Sequence, residues 1–104
     1  MGVFECDTDG AALMGRTVHA STADTAGVSH SQALAAYSKR ARMALQNLSE
    51  DTALEYTFGA TAIAGQCFKL FPGSLKEWIG DACPADQLRV VTASGSAAYL
   101  AVDW

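Results

Sequence analysis

Between Ser29 and Ser49 apolar residues recur at helical spacing, and that stripe constrains what the rest of the chain can be. Leu34, Tyr37, Ala41, Leu45 and Leu48 share one side of a 3.6-residue repeat, with Ala33 and Ala44 beside them. Gln32, Lys39, Arg42, Met43 and Gln46 take the opposite side, with Arg40 at the margin. Ser29 followed three residues later by Gln32 is a capping-box pattern. An amphipathic helix must cover its stripe with another element, and the flanking sequence offers strands to do so.

The strand signals lie on both sides. ECDTDGAALM, residues 5 to 14, carries Asp9-Gly10, which suits a two-residue hairpin turn because both central positions need positive φ. Leu54 to Phe58 reads as a short strand. LRVVTA, a Ser94-Gly95 turn and SAAYLAVDW read as a final hairpin. In SAAYLAVDW, Leu100, Val102 and Trp104 alternate with Tyr99, Ala101 and Asp103. The strand fits equally a central place, with Trp104 sealing the core, or an edge open to pairing.

Residues 59 to 71 are decided by periodicity. As a strand, residues 66 to 71 would mix polar and apolar residues on both faces. As a helix, Ile63, Ala64, Cys67, Phe68, Leu70 and Phe71 share a face, and Gly65, Gln66 and Lys69 occupy the other. Pro72-Gly73 ends it, and Ser74 with Glu77 repeats the capping box for a short helix that Gly80 closes. Residues 19 to 29, rich in Ser, Thr, Ala and Gly, read as a long flexible loop. The sequence therefore predicts one α+β domain over 1–104, an antiparallel sheet with helices packed on one face, in the order ββαβααββ.

Composition narrows the function. Half of the 104 residues are hydrophobic and 17% are charged, which excludes a disordered chain. A net charge of −4 argues against a general electrostatic grip on nucleic acid or anionic membrane. The start has no basic region followed by an apolar run, so no targeting or membrane segment is expected and the cytoplasm is the expected location. Cys6, Cys67 and Cys83 are an odd count at wide spacing, which suits reduced thiols rather than a disulfide framework or a zinc site.

The chemistry-bearing residues form no complete set. Gly59, between a strand and a small-residue run, could offer free N–H groups to an anion, but no Walker or dinucleotide pattern follows, and Gln66 stands where the lysine would be. His19, Ser21, Asp24, Ser29 and His30 have the residue types of a nucleophile, a base and an orienting acid, which are also the types loops use for local hydrogen bonds. Asp7-x-Asp9-Gly10 has its glycine at the wrong place for a calcium loop. Neither a metal nor a cofactor is expected.

A non-catalytic protein that binds another protein, or a second copy of itself, as an accessory or inhibitory factor is the reading these features support. Its partner-binding candidates are Lys39, Arg40, Arg42, Tyr99 and Trp104. The alternative is a small-ligand protein or small enzyme, with a pocket between the sheet, the 19–29 loop and the 59–71 bend. His19, His30 and Gly59 are its candidate ligand residues.

Overall fold

The computed structural model of the chain describes residues 17–59 and 61–104. The hairpin expected at the start lies outside the described residues. Eight strands follow: β1 (Ala20–Ala26), β2 (Ser31–Leu34), β3 (Arg42–Asn47), β4 (Leu54–Phe58), β5 (Phe68–Leu70), β6 (Leu75–Ile79), β7 (Leu88–Val91) and β8 (Ala97–Asp103). They form two four-stranded sheets, β1-β8-β3-β6 and β2-β7-β4-β5, with every pairing antiparallel. The helical content of the described residues is one short 3-10 turn, Gly80–Ala82.

First pairs with last throughout: β1 with β8, β2 with β7, β3 with β6 and β4 with β5. The described residues thus form a long two-stranded ribbon, hinged at the β4–β5 connection and wrapped so that successive pairs of strands fall in opposite sheets. That winding is a jelly roll. Its core lies between the inner faces, where Met43, Leu45, Tyr99 and Ala101 from one sheet meet Leu54, Tyr56, Leu88 and Val90 from the other.

The expected α+β architecture is therefore corrected to all-β. The stripe from Leu34 to Leu48 is two strands and a turn. Along β3, Met43, Leu45 and Asn47 point inward and are fully buried, while Arg42 and Gln46 on the other face are half-buried. The period of two is hidden because a polar Asn sits on the inner side and an apolar Ala44 on the outer. Asn47 is tolerated there because its amide donates to the carbonyls of Thr52 and Leu70 and its Oδ1 accepts the Ser49 N–H.

Neither further expected helix forms: residues 61–67 are irregular and turning chain that leads into the three-residue β5, and Leu75–Ile79 is β6. In the 63–71 stripe, Ile63, Phe68 and Phe71 are at least half exposed, so the apparent apolar face is not a core face. Ser74 and Glu77 mimic a capping box, but the Ser74 carbonyl accepts the Asn47 N–H and Glu77 reaches across to Arg42 at 3.2 Å. Residues 20–26 of the expected loop pair with β8 over their whole length. Leu88–Val91 and Ala97–Asp103 are strands but lie in different sheets, so they form no hairpin. β8 is central, between β1 and β3.

Candidate functional site

Two regions gather the side chains that could act on something. Near the ends of β1 and β8, Asp103 and Arg40 form an ion pair at 2.8 Å with both side chains wholly buried. Arg40 spends its remaining donors on backbone carbonyls: Nη1 on Pro84 and Asp86, Nη2 on Ala35. Asp103 accepts from the Ala20 N–H and lies 3.0 Å from His19 Nδ1. The His19 ring stacks on Tyr37 at 3.6 Å. Every charge in this knot is matched, and its products are structural: it ties the entry of β1 and the 35–40 and 84–86 segments to the last strand.

Cys83 stands within electrostatic reach of the knot. Burial pushes its thiol above the ordinary value, with Arg40 lowering it and Asp103 raising it. Such a thiol stays protonated near neutrality and is a poor nucleophile. Burial likewise pushes up the hydroxyls of Tyr56 and Tyr99; at Tyr99 a Ser31 hydrogen bond acts in the opposite sense.

The second region is the opposite side of the sandwich, where β5 ends one sheet and β6 ends the other. Phe58 and Trp78 meet edge to face at 5.4 Å, Tyr56 meets Trp78 at 5.6 Å, and Phe68 stacks on Tyr56 at 5.6 Å. Lys76 lies over the Trp78 ring, 5.8 Å from its centre. Outside this cluster, Ile63, Phe71, Leu75 and Ile79 are exposed, and Phe68 itself is 64% exposed. Leu48 adjoins them through an open depression of about 430 Å³ that it lines with Pro72 and Gly73.

The residues singled out in the sequence scatter across these regions. Lys39 is exposed, but Arg40 is buried in the knot. Arg42 pairs with Glu77 and sits 4.9 Å from the Trp104 ring centre, on the outer face of the first sheet. Tyr99 is 1% exposed in the central strand. His19 joins the knot, whereas His30 is exposed and meets Arg89 at 3.1 Å. Gly59 has φ +72, donates its N–H to the Gln87 carbonyl, and has the Asp86 carboxylate against its Cα, an environment that repels an anion. β1 packs on β2 while the 59–67 segment leads into β5, so the pieces of the expected pocket lie on opposite sides of the sandwich. Sequence reasoning missed the aromatic edge because its members look like core.

Asn47-Leu48-Ser49 has the form of a glycosylation acceptor, but Asn47 is fully buried with its amide bonded on both sides. Among the described residues no helix is long and apolar enough to cross a membrane, and no three His, Cys, Asp or Glu side chains are placed to hold a metal ion. By fold the chain is a small jelly roll, an architecture that hosts unrelated activities and so assigns none. Comparison with protein-family models, with curated proteins and with solved structures returned no match.

Proposed function

We propose that this chain is a non-catalytic interaction protein of the cytoplasm, which docks on another protein surface through the β5–β6 side of the sandwich. One observation carries the reading. Of the eight exposed large hydrophobic residues among those described, Ile63, Phe68, Phe71, Leu75 and Ile79 fall in a single run of chain, and Leu48 stands beside it. Apolar side chains scattered singly on a surface need no explanation; apolar side chains gathered at one edge mark a contact surface. Phe68 and Phe71 are suited to be its anchors, because aromatic rings bring large apolar area for little side-chain entropy. Arg42 and Trp104, across the same sheet, extend the surface with a polar border.

The test is retention of protein by the immobilised chain, wild type against Phe68→Ser with Phe71→Ser. The wild type should retain a defined protein and the double variant should lose it while keeping the strand signature of its circular dichroism. Equal retention by a folded double variant would sink the assignment of this surface.

A further inference from the structure

The two edges of the first sheet are complementary to each other, and we propose that the chain assembles head to tail by pairing β6 of one copy with β1 of the next. This rests on the interaction reading above and names the partner as a second copy.

Among the described residues, hydrogen-bond parity shows what each edge leaves open. The Gly80 N–H donates to the Ala41 carbonyl and the Asn47 N–H to the Ser74 carbonyl. With the register of β3 on β6, this turns the backbone groups of Lys76 and Trp78 toward β3 and those of Leu75, Glu77 and Ile79 outward. On the other side, the Leu48 N–H donates to Ala98 and the Trp104 N–H to Arg42. The alternate residues of β8 therefore bond β1, leaving the backbone groups of Ser21, Ala23 and Thr25 outward. The second sheet is blunter at its edges: β5 is three residues long and β2 carries an irregularity between Gln32 and Leu34.

Charge then selects the register. Along the first sheet the strands alternate in direction, so a copy in the same orientation brings β1 antiparallel to β6. Setting Ala23 opposite Glu77 places Ser21 opposite Ile79, Thr25 opposite Leu75, and Asp24 opposite Lys76. Among the described residues neither Asp24 nor Lys76 belongs to an ion pair. Asp24 accepts the Thr25 N–H through Oδ1, which holds its carboxylate at the open edge. In the assembly it exchanges that exposed bond for the Lys76 ammonium. Lysines on edge strands ordinarily keep edges apart, and an opposite charge at the matching position cancels that effect. Pairing β6 with itself instead sets Glu77 on Glu77, Lys76 on Lys76, or Trp78 on Trp78, none of which makes an ion pair. The β6–β1 contact is heterologous, so it propagates into a ring or a filament rather than stopping at two copies.

Sedimentation of the full chain over a range of concentrations tests this. Wild type should reach masses above the 10.9 kDa of one chain, in a concentration-dependent way. Lys76→Glu alone and Asp24→Lys alone should each weaken association at least about tenfold, because like charges then face each other. The chain carrying both changes should recover it. Both sites are exposed, and unchanged circular dichroism confirms folding. A wild type that stays monomeric, single variants that associate as before, or a double variant that fails to recover each overturn the proposal. A monomeric chain that still retains a different protein through Phe68 and Phe71 overturns self-pairing and leaves the interaction reading standing. A monomeric chain that retains nothing overturns both.

Discussion

The two sides of the sandwich treat the same materials in opposite ways. Around Asp103, charged side chains are buried and every one finds its partner, so the site is closed on itself. Along β5 and β6, large apolar side chains stand in the open, and among the described residues Lys76 beside them belongs to no ion pair. A buried charge is tolerable only when it is matched, and matching it leaves nothing over for a ligand. An exposed phenylalanine contributes little to the fold, because its ring stays in water. Residues with the look of chemistry, His19, Arg40 and Asp103, therefore serve stability. Those with the look of core stand at the surface.

Mutations should break this contrast in a definite order. Asp103→Ala strands a buried guanidinium and should cost about 3–5 kcal/mol in chemical denaturation. Asp103→Asn should cost less, since its one amide oxygen still accepts from one of the two donors, Ala20 N–H or Arg40 Nε, that the carboxylate serves. Asn47→Ala, which leaves buried carbonyls of Thr52 and Leu70 short of a donor, should cost about 2–3 kcal/mol by the same measurement. Gly59→Ala should cost about 1–2 kcal/mol, because φ is +72 and the new Cβ would lie 2.9 Å from Asp86 Oδ2. Phe71→Ser, on the open side, should change stability by less than about 0.5 kcal/mol. A large loss at Phe71 with a small one at Asp103 would reverse the comparison.

Alkaline pH probes the closed interior. The folded state holds Cys83, Tyr56 and Tyr99 protonated to higher pH than the unfolded chain does. The unfolded state then binds fewer protons, so stability falls as pH rises. The contribution of these three groups should be level below about pH 9, the ordinary value for the thiol, decline above it, and decline further past 10 as the tyrosines ionise in the unfolded chain. Thermal melts of wild type and Cys83→Ser across this range check the sign: the variant should begin its decline later.

Parts of this were legible in the residues. Leu54–Phe58, Leu88–Val91 and Ala97–Asp103 have the β-branched and aromatic content of strands and are strands. β3 and β6 were not, because RMALQN and LKEWI are built from good helix formers. Their strand state comes from pairing with β8 and with each other, which no local preference records. β1, ASTADTA, has the composition of a loop and becomes a strand through its pairing with β8, burying Ala26 at its end. The open surface was hidden for a related reason. Phe68, Phe71 and Leu75 join the core stripes of imagined helices, and only the strand order sets them at an edge.

By itself the sequence determined that the chain is hydrophobic enough to fold, that its net charge is −4, and that strands lie before and after residue 60. Tertiary structure alone decided which strands are neighbours, that Asp103 rather than Trp104 faces inward, and that among the described residues β1 and β6 are the edges of the first sheet. The physical reason is distance along the chain. Periodicity and propensity act over a few residues, whereas the Arg40–Asp103 pair and the β1–β8 ladder join segments far apart in sequence.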